Sequence, residues 1–215
     1  MNQRALIIGA LLAMALSGLM LYKFFTGSRS VDGATQNLSQ AFTQVTAEKI
    51  SKLLGGHGDV IVLMWGPPSD DADHPGGPPN ILAMCQALQK AGLHVVDKSS
   101  VPPVRVGSGT AWTVDNYRSV LEHYPQVGAL VSFIGAPQLS AENIRELPSP
   151  RPKLVVVRFA NVETAQPLLE QGVLDGAVLP SAKPPSSNAP KTPQEWYDKY
   201  YSFITPATVS ELGGS

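Results

Sequence analysis

The chain has 215 residues, of which 43% are hydrophobic and 15% charged, a balance that supports a packed core and excludes a mainly disordered protein. Its formal charge is −1, and three of its 16 cations (Arg4, Lys23 and Arg29) precede the first acid, Asp32. The remainder is acidic, which argues against nucleic acid as a partner. A single cysteine, Cys85, excludes an intrachain disulfide framework and a cysteine-cluster metal site.

Residues Ala5 to Tyr22 form an uncharged, apolar run of 18 residues. As a helix it would be ~27 Å long, close to the hydrocarbon thickness of a bilayer. A cleaved signal peptide usually has a shorter apolar core and a small-x-small site, and YKFFTGSRS offers no convincing one. No cysteine follows the run, so a lipoprotein anchor is excluded. The expectation is an N-terminal signal anchor over residues 1–29 with an extracytoplasmic, periplasmic domain behind it; a cleaved signal is the alternative. Residues 30–40 are small and polar and read as a linker.

The elements of the domain, residues 41–182, follow in chain order. Apolar residues at Leu38, Ala41, Phe42, Val45, Ile50, Leu53 and Leu54 recur at helical steps, and Gly55-Gly56 stops the helix. Asp59–Trp65 is a nearly continuous apolar run, as expected of a strand buried on both faces. Ile81–Ala91 is an amphipathic helix, and Leu93–Val96 a second strand. Thr113 can cap a helix that ends before Pro125, ahead of a third strand at Ala129–Phe133. Ser140 opens a short helix. Lys153–Phe159 is a fourth strand, Thr164–Gln171 a helix in which Pro167 fits only the first turn, and Gly176–Leu179 a fifth strand.

Five apolar strands alternating with helices predict a doubly wound α/β domain with a parallel sheet of order 2-1-3-4-5. Residues 183–215 begin with a Pro/Ser linker and continue into EWYDKYYSFITPATVSEL. Its aromatic residues read either as a strap or short helix packed on the domain, or as a segment that binds a partner.

In such sheets ligands bind beyond the carboxyl ends of the strands, where the strand order reverses. That rule selects Trp65, which either stacks on a ligand or closes the core, and the loop after it, with eight Pro or Gly among 14 residues. The loop carries Asp70, Asp71, Asp73 and His74, yet has neither a calcium-loop register nor a two-histidine helical spacing, so no metal site is assigned. Arg105 lies on a later loop and is either a ligand contact or an ordinary surface charge, Trp112 before the third helix has the same two readings as Trp65, and Gln138 lies on the loop after the third strand. Arg158 ends a buried strand, where a cation must reach solvent or an anion, and Asn161 follows it. GxSxG, GxxxxGK[ST] and GxGxxG are all absent, the four histidines are scattered, and Cys85 lies on an apolar helix face. No catalytic constellation and no cofactor site is visible.

The segments GGHGDVIVLMWGP, AMCQALQKAGLHVVD, YRSVLEHYPQVGALVSFIGAP and PKLVVVRFANVETAQPLLEQGVLDGAVLP, with YYSFITPATVSEL at the end, cover roughly residues 55–210. Together they resemble one lobe, the C-terminal one, of the type I periplasmic binding proteins, the sugar-binding superfamily. The resemblance implies non-catalytic binding of a small polar, sugar-like solute. By position it points to the loop after Trp65, the region of Arg105 and Trp112, the Gly135–Gln138 loop, and Arg158 with Asn161. Members clamp a ligand between two lobes, and residues 30–215 are too few for two. The resemblance therefore implies a second copy, as in a homodimer, another envelope protein as second lobe, or a domain turned over to protein interaction.

Overall fold

The structure, a computed structural model, describes residues 33–65, 81–101, 104–106, 109–157, 162–181 and 189–209. Helix α1 covers residues 33–53 and is followed by β1 (Gly58–Trp65), α2 (Ile81–Lys90) and β2 (Leu93–Val101). A short antiparallel hairpin, β3 (Val104–Val106) and β4 (Gly109–Ala111), leads into α3 (Val114–His123). Then come β5 (Ala129–Ser132), α4 (Ala141–Arg145), β6 (Lys153–Val156), α5 (Val162–Glu170) and β7 (Gly176–Pro180), and finally α6 (Pro193–Tyr200) with β8 (Tyr201–Ile204).

The main sheet has the order β2-β1-β5-β6-β7-β8. Its first five members are parallel and stand in the expected order, and the sixth pairs antiparallel to β7. The continuous apolar runs follow from burial on both faces. In β1, Ile61 and Leu63 face a core shared with Tyr117, Leu121, Ala165 and Leu169, while Val60 and Val62 face one shared with Phe42, Val45, Ile50, Met84 and Leu88. Helices α3 and α5 thus cover one face, and α1, α2 and α6 the other. Cys85 is buried in the second core, and burial raises its thiol pKa, as suits a packing residue.

Four expectations need correction. The sheet has six strands rather than five, because the aromatic C-terminal segment supplies β8. A Cβ on Gly176 would stand 2.8 Å from the tip of the Phe203 ring, so a glycine there lets β8 close against β7. The stretch read as a linker is already helical from residue 33; its polar residues lie on the exposed first turns, where small and amide side chains do not break a helix. The second strand runs on to Val101. Helix α5 starts at Val162, so Pro167 falls inside it and leaves the Glu163 carbonyl without its helical donor, at a place where both residues are exposed. Among the described residues no helix is long and apolar enough to cross a membrane; the Ala5–Tyr22 run lies outside them.

The amino-terminal edge of the sheet is tied by side chains bonded to backbone. Arg151 pairs with Asp175 at 3.2 Å and donates to the Pro152 carbonyl, and Asp175 accepts from the Leu154 amide at 2.9 Å. Lys153 Nζ donates to the Leu53 carbonyl at 2.7 Å, and Ser51 Oγ to that of Ala91 at 2.6 Å. These bonds fix the carboxyl end of α1 to this edge. The buried Tyr117 phenol has its pKa raised, chiefly by burial, with the Arg151 charge pulling the other way.

Candidate functional site

The strand order reverses between β1 and β5, because the chain goes outward from β1 to β2 and then returns past β1 to β5. The crevice beyond the carboxyl ends of these two strands is therefore the candidate site. Trp65 is the last residue of β1, opposite Val101 of β2. On the other side, the Phe133 amide donates to the Leu63 carbonyl at 3.0 Å and carries the pairing one residue past β5.

Beyond Phe133 the chain turns sharply at Gly135, with a φ of 83° that side chains other than glycine rarely adopt. The Gly135 carbonyl accepts two side-chain donors, Ser132 Oγ at 2.6 Å and Trp112 Nε1 at 3.2 Å. Ser132 Oγ also accepts from the Ile134 amide at 3.3 Å, and the Gln138 amide donates to the Trp112 carbonyl at 3.0 Å. These bonds hold the backbone of the loop from Ser132 to Gln138 without help from a ligand. Such preorganisation lowers the ordering cost of binding.

Trp112 itself had two open roles, ligand stacking or core. The structure gives it the core: it is 0% exposed and packs edge-on against Tyr117, with ring centroids 5.3 Å apart. It acts on the crevice from behind, through Gly135. Directly after it, Thr113 caps α3 in the expected way, accepting from the Asn116 amide while Asn116 Oδ1 accepts from the Thr113 amide.

Gln138 is exposed on the same loop. Arg105 stands in β3, opposite Thr110 in the hairpin that follows the carboxyl end of β2. By backbone position, Trp65 at the end of β1 and Arg105 in the hairpin after β2 stand on the carboxyl side of the sheet, as does exposed Gln138. Asp70, Asp73, Arg158 and Asn161 lie outside the described residues, as does the whole acidic loop. Among the described residues no group of three or more His, Cys, Asp or Glu could hold a metal ion. Ser132 is the residue that sequence reasoning missed. A lone hydroxyl in the apolar run ALVSF, 0% exposed in the structure, was the signal, since a buried polar group needs a partner.

No family model and no curated protein matches the sequence. Solved structures do. The protein described as the XylFII-LytSN complex is 13% identical, with a TM-score of 0.50, over 79% of this chain and 60% of that one. A solute-binding protein of an ABC transporter from Burkholderia graminis, in complex with D-arabinose, is 13% identical with a TM-score of 0.49, over 80% and 61%. The arabinose-binding protein AraP of Geobacillus stearothermophilus is 14% identical with a TM-score of 0.48, over 81% and 62%. The chain thus spans about three fifths of the length of these proteins. Strand order, the reversal between β1 and β5 and the likeness at a TM-score of 0.50 agree: the described chain has the fold of a periplasmic-binding-protein-like lobe.

Proposed function

We propose that this is a membrane-tethered, extracytoplasmic and non-catalytic domain that binds or senses a small polar, sugar-like solute in the crevice beyond β1 and β5. The observation that carries the reading is the Gly135 turn, held by Trp112 and Ser132 at the point where the strand order reverses. Gln138 would donate or accept from the exposed loop, with Trp65 and Arg105 on the opposite rim. Asp70 and Asp73, after β1, and Arg158 and Asn161, after β6, are assigned to the two sides of the same crevice by sequence position. The tether is read from the Ala5–Tyr22 run, and the solute class from the resemblance of the sequence segments to the sugar-binding superfamily.

The test is thermal unfolding of the full chain in detergent against a panel of sugars, nucleosides and amino acids. A ligand at 100 times its dissociation constant stabilises by ~2.7 kcal/mol and raises the midpoint by several degrees. The expected result is a shift with a sugar. A cooperative transition that no solute moves would sink the reading.

One observation favours a second reading, an interaction module for another envelope protein or a second copy of the chain. The described residues build one six-stranded sheet with its helices and a two-stranded hairpin, hence one wall of a crevice, whereas a good small-molecule site covers roughly 70–90% of its ligand. A partner that binds the crevice in the absence of any solute effect would establish that alternative.

A further inference from the structure

The outer side of α6 carries an aromatic pair that the core does not use. Tyr197 points inward, beneath Lys49 of α1, whereas Trp196 and Tyr200 stack on the other side with ring centroids 6.3 Å apart and planes 17° from parallel. Tyr200 is 39% exposed, among the few large hydrophobic side chains that are, and Lys199 Nζ stands 5.7 Å from its ring centroid. The Tyr200 carbonyl accepts from the Ser181 amide at 2.9 Å, just past the end of β7, so this end of the pair stands at the carboxyl edge of the sheet.

The amino end of α1, behind which the Ala5–Tyr22 run lies in the chain, points to that same edge. Its carboxyl end is bonded to the amino-terminal edge through Lys153 and Ser51, so its amino end points the other way. Phe42 accordingly meets Tyr201, which pairs with Pro180 at the carboxyl end of β7. From Phe42 back to residue 33 the helix overhangs by about 14 Å at 1.5 Å per residue. The eleven residue steps from Tyr22 to Gly33 can span at most about 36 Å. That reach exceeds the overhang, so the edge at which Tyr200 stands, with Trp196 one helical turn behind it, can be set down on a bilayer crossed by the Ala5–Tyr22 run.

We propose that the Trp196–Tyr200 face of α6 docks on the lipid headgroup layer and holds the crevice edge of the domain toward the membrane. Tryptophan and tyrosine favour this layer because each joins an apolar ring to a polar tip, and Lys199 can lay its stem along the rings with its charge in water. Lys191 and Lys199 balance Glu195 and Asp198, so the contact draws on ring partitioning and not on anionic lipid. A contact too weak to recruit a free protein suffices here, because the tether makes it intramolecular. The inference rests on the tether reading of the proposed function.

The test is made on the full chain reconstituted in neutral phosphatidylcholine vesicles, with flotation to score insertion and lipids brominated high or low in the acyl chain to quench tryptophan. Docking predicts quenching that is stronger from the shallow bromine, survives high salt, and loses its greater part in Trp196→Phe. An environment-sensitive dye on Tyr200→Cys should shift blue on reconstitution, and one on Lys90→Cys, at the end of α2 by the opposite edge, should not; the native Cys85 is buried. A chain that floats with the vesicles yet shows quenching unchanged by Trp196→Phe, or a Tyr200 dye that does not shift, overturns the docking and leaves the tether standing. Quenching abolished by salt also overturns it, in favour of a charge contact. A chain that does not float overturns the tether and the docking with it.

Discussion

The two edges of the sheet are built by opposite rules. At the amino-terminal edge, charged and hydroxyl side chains are spent on the scaffold: Arg151 and Asp175 bond each other and the backbone around them, while Lys153 and Ser51 fasten α1 and the α2–β2 turn. At the carboxyl edge, the described loop after β5 is held from behind by Trp112 and Ser132, and its exposed side is left to Gln138. Polar groups bonded into the scaffold keep fewer donors and acceptors for a ligand, whereas a turn whose backbone is satisfied can present the rest of its surface. The contrast places the bonded scaffold groups at one edge and, on the function proposed above, recognition at the other.

Substitutions can break or sharpen that contrast. The largest effect belongs to Trp112→Ala, which empties a fully buried site and releases the Gly135 carbonyl; a loss of about 3–5 kcal/mol is expected, together with loss of the ligand-induced shift. Denaturant unfolding measures it, and a loss below 1 kcal/mol would mean that the ring is not the prop of the turn. Asp175→Ala comes next, with about 2–3 kcal/mol lost because a largely buried Arg151 and the Leu154 amide lose their acceptor. Its ligand-induced shift should equal that of the wild type; a weakened shift would show that the two edges are not separable. Gln138→Ala is expected to change stability by less than about 0.5 kcal/mol, as exposed positions do. It should nonetheless weaken solute binding in a titration, and unchanged affinity would remove Gln138 from the site.

Much of the fold could be read from the sequence because it is local. Apolar runs such as DVIVLMW and KLVVVRF specify strands buried on both faces, the helices between them impose parallel pairing, and short connections restrict the strand order. The candidate site was legible only as a set of loops. Position after a strand selects Trp65 and Gln138, but it cannot say whether Trp112 faces solvent or core, because its partner carbonyl is 23 residues away in the chain.

The sequence by itself determined the α/β class, the parallel order of five strands, the cap at Thr113 and the core placement of Cys85. Each follows from periodicity, capping chemistry or connection length, which act over a few residues or one crossover. Only the tertiary structure decided that Tyr201–Ile204 becomes a sixth, antiparallel strand, that Trp112 and Ser132 share one carbonyl, and that the amino end of α1 points toward the crevice edge. These depend on close approach between distant segments, such as Phe203 over Gly176, and pairwise geometry of that kind leaves no periodic trace in a single chain.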